Sequence, residues 1–181
     1  MIQSRNDLKE IIKYESKRYF SSNKEKIRCM FLKNTPYRIF QWQKALRHTE
    51  YHINNKNKRI HYLFWVFWAR RKNRLGVRLG IDIPENTFDK GLRIYHFGCI
   101  SVNANAKVGE NCILVGNNCI GNKHGQNIAP QIGSDCMIGF GSSVIGDVRL
   151  GNQVSIAVGA VVTKTFMKDN ITLVGIPARV I

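Results

Sequence analysis

Glycine is absent from residues 1–75 of this 181-residue chain, and the same stretch contains a single proline, Pro36. A segment without these two residues favours helices, because both residues oppose helix formation. The longest apolar run, Tyr62 to Ala69, has only eight residues. A transmembrane helix needs about 20, so we expect none. The first ten residues have no apolar centre, and we expect no secretory signal.

The cysteines show neither of the patterns that would indicate a disulfide framework or a zinc site. Their number, five, is odd, and no CxxC pair or Cys/His cluster occurs. Paired cysteines in a small secreted domain, or closely spaced Cys and His ligands, would point to those structures. We therefore expect reduced cysteines used as small core residues, no bound metal and a cytoplasmic location.

Acidic residues are scarce in the first half of the chain. Residues 1–80 contain 20 Lys and Arg against 5 Asp and Glu, whereas residues 81–181 contain 8 against 7, within a formal net charge of +16. Thirteen of the 15 glycines also lie beyond residue 80. The composition predicts two domains: a basic α-helical segment over residues 1–80 and a domain of another kind over residues 81–181. Helices are expected from Leu8 to Tyr19, Tyr37 to His52 and His61 to Leu79.

Residues 102–162 carry a repeat of six residues. Branched aliphatic side chains recur at this interval on both sides of a break at residues 121–131: Val102, Val108, Leu114 and Ile120, then Ile132, Ile138, Val144, Leu150, Ile156 and Val162. Glycine or alanine often follows the aliphatic residue, and a small or aliphatic residue stands four positions after it. A period of six fits no face of an α-helix, so the repeat excludes a helical second domain.

The segments IGSDCM, IGFGSS and LGNQVS resemble the hexapeptide-repeat family. The resemblance implies a mainly β fold: a left-handed parallel β-helix with three hexads per coil, preceded by the small helical segment. One aliphatic residue per hexad would point inward, and each coil would cover its neighbours. A spacing of eighteen residues would stack Leu114, Ile132 and Leu150 on one face, and Ile120, Ile138 and Ile156 on the next.

Two further motifs narrow the resemblance. The segment GLRIYHFGCISV, which contains His96, is similar to the active-site segment of serine O-acetyltransferases and of their relatives in surface-polysaccharide biosynthesis. The C-terminal segment VGIPARVI is similar to the G-x-P-A-[KR] signature of these acyltransferases. The resemblance implies an O-acetyltransferase that uses acetyl-CoA as the donor, forms a homotrimer and has its sites between subunits.

His96 is the expected catalytic residue. Transfer of an acetyl group to a hydroxyl requires removal of the hydroxyl proton, and imidazole performs this task near neutral pH. The resembled family orients the histidine with an aspartate about one coil earlier, and Asp82 is the nearest match, one residue off in spacing. The alternative is that His96 is an ordinary polar residue at a coil corner.

The donor site is also implied by the resemblance, which places the pantetheine arm against coil edges. The matching pairs are Phe140-Gly141 and, eighteen residues later, Val158-Gly159. Lys164 and Arg179 are candidates for contact with the CoA phosphates, and the alternative for both is a solvated surface charge.

The acceptor is left open between a sugar hydroxyl of a surface polysaccharide and L-serine. Tyr95 stands where the family has an aspartate, and Ala129 stands where it has a histidine before proline. His124 lies near that place but out of register. These departures favour the sugar, and we place Tyr95 and His124 at the acceptor site.

Aromatic residues precede a basic cluster in the segment HYLFWVFWARRKNR. One interpretation is a helix that packs on the protein itself or on another subunit; the other is peripheral contact with anionic lipid headgroups. A non-catalytic basic module is a further alternative for the whole chain, but no known nucleic-acid motif occurs, and we expect no nucleic-acid partner.

Overall fold

The structure, a computed structural model, describes residues 1–57, 59–123 and 127–181. Within it the chain divides into two compact units, Met1–Leu79 and Gly80–Ile181. The first is helical and the second is built from short β-strands. No helix in the described part of the chain combines the length and hydropathy needed to cross a membrane.

In the first unit the described residues form four helices: α1 (Arg5–Tyr19), α2 (Asn23–Leu32), α3 (Thr35–Asn54) and α4 (Arg59–Leu79). Polar side chains start the first three, since Ser4, Ser22 and Asn34 each accept a hydrogen bond from a main-chain N–H of the first helical turn. Asn34 is followed by proline within the first turn of α3, a place where its missing N–H costs no helical hydrogen bond.

The core of this unit contains a buried ion-pair network on α3. Arg47 donates to Glu15 on α1 at 2.7 Å and to Glu50 at 2.8 Å, and all three side chains are at most 2% exposed. Burial by itself would lower the pKa of the Arg47 guanidinium, but the two carboxylates outweigh it and raise that pKa above its ordinary value. The network ties α1 to α3.

In the second unit the described part of the chain forms fourteen short strands, which wind into a parallel β-helix with three faces. Face A contains β1 (Ile81–Asp82), β3 (Ile100–Val102), β6 (Cys119–Gly121), β9 (Ser143–Ile145) and β12 (Val161–Val162). Face B contains β4 (Lys107–Val108), β7 (Gln131–Ile132) and β10 (Arg149–Leu150). Face C contains β2 (Arg93–Ile94), β5 (Ile113–Leu114), β8 (Met137–Ile138), β11 (Ser155–Ile156), β13 (Thr172–Val174) and the antiparallel β14 (Arg179–Val180).

The predicted fold class, a left-handed parallel β-helix after a small helical segment, is confirmed. The six-residue repeat also identifies the core correctly. All six aliphatic residues from Ile132 to Val162 that follow the repeat are buried, none with more than 4% of its surface exposed.

The predicted stacking was wrong on one side of the break at residues 121–131. Leu114 pairs with Ile138 on face C, and Ile120 pairs with Val144 on face A. The coil that contains the break is therefore 24 residues long, one hexad more than the 18 between Ile138 and Ile156. Because the insertion is a whole hexad, the aliphatic residues on both sides of it still point inward. Each aliphatic residue after the insertion, however, lies one face further round the β-helix than an eighteen-residue coil would place it.

The ion-pair network provides the first test of this packing. Arg47→Met would leave the Glu15 and Glu50 carboxylates buried without their cation, and we expect a loss of about 3–5 kcal/mol in unfolding free energy. All three tryptophans lie in the helical unit, so tryptophan fluorescence in a urea titration measures this loss. Arg28→Met, at an exposed position on α2, is the matched control and should change stability little. Equal stability of the two variants would contradict the role given to the network.

A second test uses two histidines of α3. Burial, followed by Lys44 and His52, lowers the pKa of His48 to about 4, and burial followed by His61 and Arg5 lowers that of His52. Between the ordinary value of 6.5 and about 4 the unfolded chain binds protons that the folded unit does not. The helical unit should therefore lose stability as pH falls through this range. His48→Phe keeps an aromatic ring against Trp68 but cannot bind a proton, so the variant should lose less stability as pH falls. Unfolding followed by tryptophan fluorescence at several pH values measures this. A variant with the same pH dependence as the wild type would show that His48 is not responsible.

Candidate active site

Residues from four successive coils line the edge where face C turns into face A, and we call this set the histidine corner: His96, Gly116, Phe140 and Val158. The Gly116 carbonyl accepts from the N–H of Gly141 at 2.9 Å, and the Phe140 carbonyl accepts from the N–H of Gly159 at 2.9 Å. A methyl group at Gly116 would come within 3.2 Å of both the His96 Cβ and the Phe140 ring. His96 and the phenyl ring of Phe140 therefore flank a position that has no side chain.

Two buried polar side chains hold the turn beneath this corner. Asn118 accepts from the N–H of Gly116 at 3.0 Å and donates to the Gly139 carbonyl at 2.6 Å, and Ser142 donates to the same carbonyl at 2.7 Å. Both side chains are at most 1% exposed. They connect the coil of Gly116 to the coil of Phe140 and so determine the spacing along the corner.

Asn118 is not among the residues predicted for this site. It stands four residues after the inward Leu114, at the hexad position that holds Cys, Ser, Val or Ala in neighbouring hexads. A large polar residue at a buried position needs hydrogen-bond partners. That exception to the repeat is the signal that marks this turn as different from the other corners.

His96 follows β2 and is exposed, with its main-chain N–H bonded to the Val115 carbonyl at 3.1 Å. Its neighbours Tyr95 and Phe97 are also exposed, by 42% and 44%. The Arg93 guanidinium lies 4.7 Å from the centre of the Tyr95 ring, close enough for a cation–π contact. Three consecutive exposed side chains, the imidazole and the two aromatic rings, are thus accessible to a ligand.

Asp82 lies on β1, on the outer side of face A, beside Ser101 in the next coil. Its carboxylate is exposed. Among the residues that the structure describes, no hydrogen bond joins Asp82 to His96, and the predicted pairing of the two stays a prediction.

The two pairs predicted to hold the donor lie one coil apart at the histidine corner. Phe140 is 40% exposed and Val158 is 74% exposed. Gly141 and Gly159 both have a φ of +69°, and a Cβ on either would meet no atom within 4 Å. The corner is therefore an open apolar shelf, lined by carbonyls and glycines.

The other predicted residues lie elsewhere or cannot be placed. Lys164 follows β12 and Arg179 is on β14; both are exposed and both belong to the C-terminal end of the β-helix. His124 lies outside the described residues. Ala129 is buried, with 3% of its surface exposed.

Two thiols lie close to the corner. Cys99 is exposed, and its N–H donates to the Asn117 side chain at 2.9 Å. Burial, followed by the proximity of Cys99, raises the pKa of Cys119. A raised pKa keeps the Cys119 thiol protonated at neutral pH, which makes it a poor nucleophile. In the described part of the chain, no group of three or more His, Cys, Asp or Glu side chains is arranged to hold a metal ion.

The role of Asn118 in the turn can be tested by substitution. Asn118→Ala removes the acceptor of the buried Gly116 N–H, while Ser142 still serves the Gly139 carbonyl, and we expect a loss of about 1–3 kcal/mol. Calorimetric unfolding measures it. Asn105→Ala is the control, because Asn105 makes its hydrogen bonds at an exposed place. A larger loss for Asn105→Ala than for Asn118→Ala would contradict this interpretation of the corner.

Comparison with known proteins points to one group. Residues 129–164 match the family model "Bacterial transferase hexapeptide (six repeats)". The serine acetyltransferase of Synechococcus elongatus is 30% identical over 105 residues, which are 56% of this chain and 43% of that protein. That of Escherichia coli K12 is 26% identical over 113 residues, 61% of this chain and 41% of that protein. The chain thus spans less than half the length of either relative.

Solved structures agree in fold. The serine acetyltransferase of Neisseria gonorrhoeae superposes with a TM-score of 0.75 at 23% identity, covering 98% of this chain and 68% of that one. The Brucella abortus enzyme gives 0.71 at 20% identity, covering 98% and 70%. The predicted resemblance is confirmed: the hexapeptide model matches within the left-handed β-helix of the second unit, and the chain is similar to serine acetyltransferases in sequence and in fold.

Proposed function

We propose that this protein is an O-acetyltransferase that moves the acetyl group of acetyl-CoA to a hydroxyl, with His96 as general base. The observation that carries the proposal is the histidine corner, where an accessible imidazole stands in line with the open shelf at Phe140 and Val158. The similarity to serine acetyltransferases supports it.

Acetyl-CoA is the proposed donor. A structure similar in fold, with a TM-score of 0.73 at 18% identity and covering 98% of this chain and 71% of that one, is a serine acetyltransferase in complex with CoA. The shelf suits the pantetheine arm, which is extended, uncharged and able to bond with main-chain groups. Lys164 and Arg179 are the proposed contacts of the CoA phosphates, because both are exposed cations near the C-terminal end of the β-helix.

The proposed reaction needs one proton carrier. His96 takes the proton of the acceptor hydroxyl while the oxygen attacks the thioester carbonyl. When the carbon–sulfur bond breaks, the imidazolium returns this proton to the leaving thiolate, so that the products are an acetyl ester and free CoA. Asp82 is proposed only to orient the imidazole.

L-serine is the acceptor that the relatives favour, since the proteins similar to this chain are serine acetyltransferases. A sugar hydroxyl in surface-polysaccharide biosynthesis is the second candidate. It is supported by Tyr95 and Ala129, which replace an aspartate and a histidine of the resembled family, and by the open ring of Tyr95 beside His96.

We also propose a homotrimer with the site between subunits. Exposed apolar side chains on and beside face C, such as Met137 at 41% and Phe140 at 40%, support an interface there. A cytoplasmic location, where acetyl-CoA is available, remains a prediction for this protein.

Turnover of His96 variants tests the proposed reaction. His96→Asn should lower kcat by about 10²–10⁴, the usual size of a general-base contribution. CoA affinity should change little, because the shelf and not the imidazole holds the donor. Asp82→Asn should cost less, and Asp147→Asn, at another exposed carboxylate, is its control. A folded His96→Asn protein with near wild-type turnover would refute the mechanism.

The acceptor is tested by thiol release from acetyl-CoA in the presence of L-serine, monosaccharides or oligosaccharides. The proposal predicts acetylation of L-serine with kcat/KM at least tenfold above any sugar. If kcat/KM were higher for a sugar than for L-serine, the sugar hydroxyl, our second candidate, would be the acceptor. Absence of transfer to every hydroxyl, with CoA still bound at the corner, would overturn the proposed activity.

A further inference from the structure

A groove of about 880 Å³ lies within the helical unit, among α1, α3 and α4. One of its walls is cationic. Four basic side chains of α1 line it at intervals of four residues: Arg5, Lys9, Lys13 and Lys17. Four residues of an α-helix rise about 6 Å, so the four charges form a row about 18 Å long on one side of the helix. Lys26 of α2 lines the same groove.

The rest of the groove is largely apolar and aromatic. Leu8 and Ile12 of α1 lie at its base, and Ile60, Phe64 and Trp68 come from α4. Phe64 is 47% exposed and Ile60 is 53% exposed, although both face this concave surface. Open apolar side chains beside a row of cations form an amphipathic site.

The cationic wall faces no acidic side chain among the described residues of the groove. No Asp or Glu occurs among the described residues that line it. Four of the five acidic residues of the unit are engaged elsewhere. Asp7 forms the capping box of α1, Glu25 accepts from the N–H of Ser21, and Glu15 and Glu50 hold Arg47. On the opposite wall the pKa of His52 is lowered by burial, then by His61 and then by the charge of Arg5.

Charge argues against a second copy of this unit as the occupant. Residues 1–80 carry 20 basic side chains against 5 acidic ones, so that two such surfaces repel each other. The complementary occupant is anionic where it meets α1 and apolar where it meets Ile60 and Phe64. We propose that this groove binds a single-chain anionic amphiphile, with a phosphate or diphosphate head on the α1 cations and a hydrocarbon chain along α4.

This site is separate from the histidine corner, and the proposal does not depend on the acetyl-transfer activity. The probe for the experiment is dodecyl phosphate below its micelle concentration, added to the full chain and followed by isothermal titration calorimetry. Trp68 lines the groove, so its fluorescence gives a second signal. We expect saturable binding with a stoichiometry of one per chain.

Two pairs of variants locate the site. Lys9→Glu with Lys13→Glu should weaken binding by about tenfold or more, because charged hydrogen bonds are lost and repulsion is added. The control is Lys24→Glu with Arg28→Glu, which reverses two exposed cations four residues apart on α2, outside the groove. Phe64→Ala should weaken binding roughly fivefold, whereas Phe67→Ala, on the same helix and outside the groove, should not. If a groove variant and its matched control weakened binding equally, the proposed location of the site would be wrong.

Five comparison probes test the chemistry of the occupant. Dodecyl maltoside has the chain without the charge, and inorganic diphosphate has the charge without the chain; dodecyl phosphate should bind at least tenfold more tightly than either. If either probe bound as tightly as dodecyl phosphate, the proposal that the groove binds an anionic amphiphile would be wrong. If heparin or oligothymidine displaced dodecyl phosphate and bound more tightly than it does, the groove would be a polyanion site instead, and the proposal would be wrong. Binding to phosphatidylglycerol vesicles without any binding of the monomeric probe would identify a membrane contact and likewise overturn the proposal.

Discussion

The β-helix depends on one repeated contact, in which a branched aliphatic side chain packs on its counterpart in the next coil. Leu114, Ile138 and Ile156 form one such column on face C, and all are fully buried. The strands are two or three residues long, too short to be stable alone, so each coil depends on the coils above and below it. The stacking of these inward side chains also determines which surface residues of successive coils lie next to each other.

The histidine corner is a consequence of this stacking. His96 lies more than forty residues before Phe140 in the chain, yet only the coil of Gly116 separates them. Close packing of the coils limits what can stand at the turns. A Cβ at Gly139 would lie 2.5 Å from the Ile156 carbonyl, which leaves no room for another residue there. Asn118 and Ser142 fill the interior of the same turn with hydrogen bonds, so that the outer surface is set by a rigid support.

The sequence predicted the inward residues because the period of six records which side chains face the core. It did not predict which coils are neighbours across residues 121–131, because adding a whole hexad leaves the period intact while shifting the face. No helix was predicted where α2 forms, and its apolar residue Phe31 is 77% exposed. Apolar character alone does not say whether a side chain has a partner. Phe140 and Val158 were expected at one corner because the family resemblance implied it, whereas the role of Asn118 became visible only in the folded turn.

The central claim is that the histidine corner is where the acetyl group is transferred. A crystal structure of the protein with CoA tests it most directly. The account predicts that the pantetheine arm lies along Phe140 and Val158, with the CoA sulfur within hydrogen-bonding reach of the His96 imidazole. CoA bound along another corner or face, with its sulfur remote from His96, would contradict it.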